Sequence, residues 1–346
     1  MAKIAINGFG RIGRLFFRQA FERPELEIVA INDLGDIENE AYLLKYDSVY
    51  RAYPKSVEVK KNENGIGGKL IVGGKEITFL QEKDPTKLPW GTLGVDVVVE
   101  STGVFESFEK ASVHLAAGAK RVVITAPAKD AEGTAGGETI LLGVNEDRFS
   151  AVRLSSNGSC TTNAASPLAA VMAESVGVAK AILATVHAYT ATQSLVDGPV
   201  RGTADFRRGR AAAQNISPST TGAAISVARV IKELDGKFDG VAIRVPIVTG
   251  SLADFTFVAK RKTSVEEING IFKKAAENPR WAGIVKVSED QLVSSDVIGE
   301  SYGVVVDLRL TKVMDGDLVK VMGWYDNEWG YVTTLVKHVI KATGSL

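Results

Sequence analysis

The stretch Ala2-Lys3-Ile4-Ala5-Ile6-Asn7-Gly8-Phe9-Gly10-Arg11-Ile12-Gly13-Arg14 decides the fold. Residues 2–7 read as an apolar strand, residues 8–13 spell Gly-x-Gly-x-x-Gly, and the next run sets Leu15, Phe16, Ala20 and Phe21 on one side of a helix. In a strand–turn–helix each glycine has its own task. The first makes the tight turn, the second lets a pyrophosphate approach the backbone, and the third lets helix and strand pack closely. A second strand, Glu27 to Ile31, ends at Asn32-Asp33. A carboxylate at Asp33 can accept hydrogen bonds from an adenosine ribose 2′-hydroxyl and repels a 2′-phosphate, which favours NAD over NADP.

Outward from this unit, Val95 to Glu100 and Arg121 to Thr125 are near-continuous apolar runs, as parallel strands buried on both faces require. A helix is expected at about 108–117 between them. Ser101-Thr102-Gly103 stands at the carboxyl end of the first run, where a doubly wound sheet presents its binding loops. Short strands are expected between Val57 and Leu80, a surface loop over 128–138, and a further strand from Ile140 to Val144. These features give an α/β fold with an N-terminal Rossmann-type doubly wound sheet.

Beyond Cys160 the pattern changes. Strands are expected at Ala181–Val186, Gly240–Val245, Ser251–Lys260, Gly303–Leu308 and Leu318–Trp324, with helices near 211–234 and 264–277. Long strands with few helices between them indicate an α+β domain with a mixed or antiparallel sheet. Pro167 should kink the helix that begins at Cys160 or shift its start. The amphipathic run Glu328–Ala342 can close back on the first domain. The expected division is 1–159 with 327–346, against 160–326.

Composition excludes several classes. Lys+Arg and Asp+Glu both total 41 of 346 residues, so no global field favours nucleic acid or an anionic membrane. No apolar run approaches the ~20 residues that span a bilayer, and the N-terminus has no signal-peptide layout. One cysteine forms neither an internal disulfide nor a Cys-rich zinc site, so no metal is expected. A cytoplasmic location is the expectation.

That cysteine lies in Ser156-Asn157-Gly158-Ser159-Cys160-Thr161-Thr162-Asn163, just before an Ala-rich helical run. At the first turn of a helix, free N–H groups and the macrodipole stabilise a thiolate. Three surrounding hydroxyls make poor core packing and good contacts to an anion or carbonyl. A nucleophilic cysteine needs a proton acceptor. Of three histidines, His114 sits in a helix of the first domain and His338 sits between Lys337 and Lys341, where a solvent-facing role is expected. His187 closes a strand and opens His187-Ala188-Tyr189-Thr190, leaving it as the candidate base. A nicotinamide cofactor with a Cys–His pair suits aldehyde oxidation through an acyl thioester. Arg207, Arg208 and Arg210, the cluster Ser217-Pro218-Ser219-Thr220-Thr221-Gly222, and Arg244 offer phosphate-binding chemistry for discharging it.

The Gly-rich stretch, Ser156–Asn163, His187–Thr190, Arg244-Val245-Pro246 and Trp324-Tyr325-Asp326-Asn327-Glu328-Trp329-Gly330-Tyr331 together resemble phosphorylating glyceraldehyde-3-phosphate dehydrogenases, in order along the whole chain. The resemblance implies a cytoplasmic homotetramer of glycolysis or gluconeogenesis. Its implied reaction converts glyceraldehyde 3-phosphate, NAD and inorganic phosphate into 1,3-bisphosphoglycerate and NADH. By position, Cys160 becomes the nucleophile and His187 the base. Thr190 and Arg244 would bind the substrate's phosphate; Ser159, Thr161, Arg208, Thr221 and Gly222 would hold the attacking phosphate. Gly8, Gly10, Arg11, Ile12, Gly13, Asp33, Thr102, Gly103 and Thr125 fall at cofactor contacts, and Asn327 would hold the nicotinamide carboxamide. Leu195–Arg210 matches a loop that reaches a neighbouring subunit.

The chain departs from the family pattern at Ala164, where a second cysteine is common, at Thr192, commonly Asp, and at Gly158, commonly Ala. The loops at 128–138 and Val200–Asp205 are longer. Two other readings compete: erythrose-4-phosphate dehydrogenase, which discharges its thioester mainly to water, and an NAD- or RNA-binding module without catalysis. Any nucleic-acid binding is expected to be secondary.

Overall fold

The chain enters through strand β1 (Ala2–Asn7), turns at Gly8 and begins helix α1 (Arg11–Ala20). Gly8 has φ +94°, and a Cβ there would stand 2.6 Å from the backbone of Ser101 and Thr102. A Cβ on Gly13 would stand 2.1 Å from the Gly8 carbonyl oxygen. Both positions therefore exclude any side chain. The computed structural model describes residues 1–63, 65–200 and 204–344, and all counts refer to these.

By internal contacts the chain forms two units. One comprises Met1–Ile140, Glu146–Gly158 and the C-terminal stretch from Leu335; the other comprises Leu141–Asn145 and Ser159–Thr334. The division thus falls at Gly158/Ser159, and the return begins at Leu335 rather than at 327.

In the first unit β1 joins β2 (Leu26–Asn32), β3 (Val57–Lys61), β4 (Gly68–Val72), β5 (Lys75–Leu80), β6 (Val97–Glu100), β7 (Arg121–Ile124), β8 (Gly137–Thr139) and β9 (Leu154–Ser156). The nine-stranded order is β3-β4-β5-β2-β1-β6-β7-β9-β8. From β5 to β8 every pairing is parallel, and β3 and β4 add an antiparallel edge. Val97, Val98 and Val99 have no exposed surface, which explains the unbroken apolar run. Helices α2 (Ile37–Lys45), α3 (Trp90–Leu93), α4 (Phe108–Ala111) and α5 (Val113–Ala116) complete the unit. The helix expected over 108–117 is divided at Ser112. The strand expected over Ile140–Val144 is absent. Ile140, Leu141 and Leu142 are buried, yet Asn145 Oδ1 accepts from Leu141 N at 2.8 Å and Gly143 turns at φ +76°, so the backbone closes a turn instead.

The second unit opens with α6 (Cys160–Ser175), which continues through Pro167 to Ser175. The missing N–H removes one helical bond without ending the helix, because Leu168, Ala169 and Met172 anchor it in the core. Strands β10 (Val178–Ala188), β11 (Ser217–Thr220), β12 (Phe238–Val245), β13 (Ser251–Ala259), β14 (Val285–Ser288), β15 (Val304–Asp307), β16 (Lys312–Met314) and β17 (Leu318–Tyr325) form its sheet. The order is β11-β12-β10-β13-β17-β15-β14, with β16 on β17. Pairs β10–β12 and β14–β15 are parallel and the rest antiparallel, which makes the sheet mixed. Strand β13 alternates buried and half-buried residues along its whole length, so one face packs under helices. The helices are α7 (Ala223–Val230) and α8 (Val265–Glu277). The helix expected near 211–234 shrinks to α7, because Ser217–Thr220 pairs with β12 as an edge strand, a position that tolerates Pro218. The longer loop expected at Val200–Asp205 includes residues 201–203, outside the described residues.

Helix α9 (Trp329–Thr343) closes the described chain. His338, expected to face solvent, is fully buried in the first unit, with Nε2 2.8 Å from Ser155 Oγ and its ring edge-on to Phe149. It shares a helical face with Leu335 and Ala342, which outweighs its lysine neighbours. Burial pushes its pKa from 6.5 down to about 3. Below pH 6.5 the unfolded chain takes up a proton that the native ring refuses. Stability should therefore fall towards pH 3 by about 1.4 kcal/mol per unit from this ring. His338→Gln should show a shallower loss between pH 6.5 and 4 in urea melts; identical slopes would contradict this.

Candidate active site

In the first unit the carboxyl ends of β1, β2 and β6 border a cleft of about 440 Å³. Of the sequence-predicted cofactor residues, Gly8, Gly10, Asp33 and Thr102 line it. No atom lies within 4 Å of a Cβ on Gly10. Gly10 is also the N-cap of α1 and has no side chain to satisfy the first-turn N–H groups, so a pyrophosphate would meet backbone donors and open space there. Asp33 is fixed at the rim by Phe9 N at 2.6 Å and Gly35 N at 2.8 Å. Its carboxylate keeps acceptor capacity for a ribose hydroxyl. These residues fit a dinucleotide.

The other predicted positions serve differently. Gly13 packs against Gly8, Gly103 turns at φ +71°, and Ile12 is half-buried on α1. Arg11 pairs with Asp47 at 2.6 Å over the Tyr50 ring. Thr125 follows β7, with its N–H on Glu100 O at 3.0 Å.

Behind the cleft lies a buried polar network that motif reading missed. Trp90 Nε1 can only donate, and it meets His114 Nδ1 at 3.1 Å. The ring proton of His114 therefore sits on Nε2, which donates to Glu100 Oε2 at 3.0 Å. Glu100 also accepts from Asn7 Nδ2 at 2.6 Å, Thr102 N at 2.8 Å and the Thr102 hydroxyl. Asn7 Oδ1 in turn accepts from Asn32 Nδ2 at 2.8 Å. Polar residues at three strand ends were the sequence signal, since a buried Asn or Glu must find partners.

In the second unit Ser159 caps α6. Its Oγ accepts from Thr162 N at 3.1 Å, while Ser159 N donates to Thr162 Oγ1 at 3.2 Å. Cys160 is thereby the first helical residue, with Gly158 turning at φ +65° before it. Cys160 Sγ lies 3.3 Å from His187 Nε2. Burial pushes the thiol up, opposed by Arg244 and by hydrogen bonds at Thr161 and the helix start. The half-buried position of Cys160 keeps that push partial, and the helix N-terminus acts against it.

His187 and Arg244 sit opposite each other in the parallel β10–β12 ladder. His187 Nδ1 is 2.6 Å from Ala188 O and 2.5 Å from Arg244 Nη1. A carbonyl cannot donate and a guanidinium cannot accept, so Nδ1 serves one of them at a time. Donation to Ala188 O leaves the Nε2 lone pair facing the thiol. Burial, then the Arg244 charge, pushes the imidazole down to about 3. Burial thus favours the neutral form of both partners, while Arg244 and the helix N-terminus favour the thiolate.

Thr190 Oγ1 and Thr192 Oγ1 are 3.0 Å apart, and Arg208 Nη1 donates to Thr192 Oγ1 at 3.0 Å. The predicted Thr190 and Arg208 are thus brought together through Thr192. Thr161 Oγ1 is engaged by Tyr325 OH at 2.9 Å and Ser159 Oγ by the cap, so the α6 N-terminus can offer an anion chiefly its backbone N–H groups. Thr221 Oγ1 accepts from Ala223 N, and Gly222 caps α7 with open space around it. Among the described residues, no hydrogen bond joins Thr221 or Gly222 to Cys160. Asn327 is buried, its Oδ1 accepting from Gly250 N at 3.1 Å and Ser251 Oγ at 2.8 Å. Those contacts leave Nδ2 as its outward donor.

Residues 2–108 match the family described as glyceraldehyde 3-phosphate dehydrogenase, NAD binding domain, and residues 159–327 match its C-terminal domain. A glyceraldehyde-3-phosphate dehydrogenase of Thermotoga maritima is 49% identical over 97% of both chains. One from Streptomyces coelicolor is 47% identical over 96% of both. Glyceraldehyde-3-phosphate dehydrogenase 1 of Kluyveromyces lactis is 44% identical, covering 98% of this chain and all of its own.

A base held neutral by burial and Arg244 makes a direct prediction. In ring-proton NMR of the free chain, the resonance that disappears in His187→Asn should not titrate between pH 5 and 8. A midpoint near 6.5 would contradict the electrostatics described.

Proposed function

The chain belongs to the glyceraldehyde 3-phosphate dehydrogenase family, and from that premise we propose that it oxidises D-glyceraldehyde 3-phosphate with NAD and transfers the acyl group to inorganic phosphate, giving 1,3-bisphosphoglycerate. The observation that carries the proposal is Cys160 Sγ at the first turn of α6, 3.3 Å from His187 Nε2.

The first unit is the NAD-binding domain in this reading, with Gly8, Gly10, Arg11, Ile12, Gly13, Asp33, Thr102, Gly103 and Thr125 as its cofactor positions. Asn327, its Oδ1 engaged by Gly250 N and Ser251 Oγ, would hold the nicotinamide carboxamide. Bound NAD supplies the hydride acceptor. Cys160 Sγ adds to the aldehyde carbon to form a thiohemiacetal, whose oxygen can be held by the backbone N–H at Cys160. His187 Nε2 removes the hydroxyl proton as the carbon is oxidised, leaving a thioester on Sγ. Phosphate then attacks the acyl carbon, and Sγ departs.

Thr190 and Arg244 suit the substrate's own phosphate, because an anion on Arg244 removes the positive charge that disfavours imidazolium. Substrate binding would then raise the basicity of His187 when it is needed. Ser159, Thr161, Arg208, Thr221 and Gly222 are assigned to the attacking phosphate, and Arg208, hydrogen-bonded through Thr192 to Thr190, adjoins the substrate-phosphate residues as well. A homotetramer is part of the proposal. Ile182, Val241 and Leu318 on the second sheet, and Leu195, Val196 and Phe206 on the following loop, are exposed apolar groups of the kind a partner copy covers. No helix among the described residues is long and apolar enough to cross a membrane; a cytoplasmic location rests on the sequence.

Cys160→Ala should lower turnover by about 10⁴-fold or more while leaving the NAD dissociation constant within about twofold. Near-normal turnover in that variant would refute the assignment.

A further inference from the structure

Between His187 and Asn327 stands a residue that no motif singles out. The last paired residues of the β10–β13 ladder are Val186 and Leu252, and beyond them Ser251 takes over with its side chain. Ser251 Oγ accepts from Ala188 N at 3.1 Å and donates to Asn327 Oδ1 at 2.8 Å. Ala188 is also the residue whose carbonyl meets His187 Nδ1 at 2.6 Å. One hydroxyl therefore ties the strand end that orients the base to the amide that orients the nicotinamide.

The hydroxyl has few substitutes. Ser251 is 1% exposed, so water cannot readily replace it. Gly250 N is a backbone donor 3.1 Å from Asn327 Oδ1, which fixes that atom as oxygen and turns Nδ2 away. The Thr249 hydroxyl lies 3.3 Å from the same oxygen but only 3.0 Å from the Asp326 carboxylate, and its single proton goes preferentially to the charge. Asn327 Oδ1 thus depends mainly on Gly250 and Ser251.

We propose that Ser251 is a positioning residue for the dehydrogenase reaction, coupling the carboxamide-holding Asn327 to the Ala188 peptide beside His187. This rests on the roles given above to Asn327 and His187. Ser251 is buried and its hydroxyl is engaged by Ala188 N and Asn327 Oδ1, so its removal should change NAD affinity and kcat without changing the KM for the aldehyde.

The test uses the full-length chain. NAD binding is followed by quenching of intrinsic fluorescence, and steady-state rates are measured at saturating NAD and phosphate. Ser251→Ala should weaken NAD and lower kcat, each about tenfold, with the aldehyde KM within about twofold. Ser251→Thr, which keeps the hydroxyl, should restore both. In a double-mutant cycle, Ser251→Ala should add little to the NAD loss of Asn327→Ala, because the effect passes through that amide. Additive losses, or an unchanged kcat in folded Ser251→Ala, would overturn the proposal. Ser251→Cys, close in shape but a weak donor, repeats both measurements if the alanine variant does not fold. An inactive wild-type chain would instead count against the enzymatic reading on which the proposal rests.

Discussion

The Ser159 cap on α6 is the constraint on which the candidate site depends. It ends the preceding turn and makes Cys160 the first helical residue. The sulphur is thereby committed to the end of the helix where a negative charge is stabilised. The helix can hold this position because its next residues, Thr161 to Met172, are all buried. Thr161 is also tied through Tyr325 OH to Thr185 on β10, the strand that carries His187, with distances of 2.9 and 2.7 Å. Nucleophile and base are thus held by the same tyrosine from two elements. Full burial pushes that phenol's ionisation upward, so it acts as a neutral hydrogen-bonding brace.

Opposing charges set the resting state of the pair. Desolvation favours the neutral thiol and the neutral imidazole; Arg244 favours the thiolate and disfavours the imidazolium. Burial also makes the Arg244 charge costly, so its guanidinium is lowered below its ordinary pKa. A bound phosphate would satisfy that charge. In the proposed reaction the same arginine would recognise the substrate's phosphate and release the base to work, because it stands opposite His187 in the ladder.

What the sequence made legible was whatever local chemistry dictates. The Gly8–Gly13 turn, the buried strand Val97–Glu100 and the capped Cys160 were readable because each depends on neighbours in sequence. His187 was reached by elimination among three histidines. His338 was misread because its lysine neighbours are local while the face it shares with Leu335 is set by packing. Ser217–Thr220 became a strand only through pairing with β12, and Ile140–Val144 failed to become one because Asn145 closes a turn. The Trp90–His114–Glu100–Asn7 network and the Ser251 link join residues far apart in the chain. Such partners are set by the fold rather than by any spacing in the sequence.

The central claim is that a Cys160 thioester forms and is released by phosphate. The most direct measurement is NADH formation from glyceraldehyde 3-phosphate and NAD, with and without inorganic phosphate. Sustained turnover is expected with phosphate and, without it, a burst near one NADH per Cys160 that then stalls. Steady turnover without phosphate would contradict the claim and point to hydrolysis of the thioester, as expected of an erythrose-4-phosphate dehydrogenase.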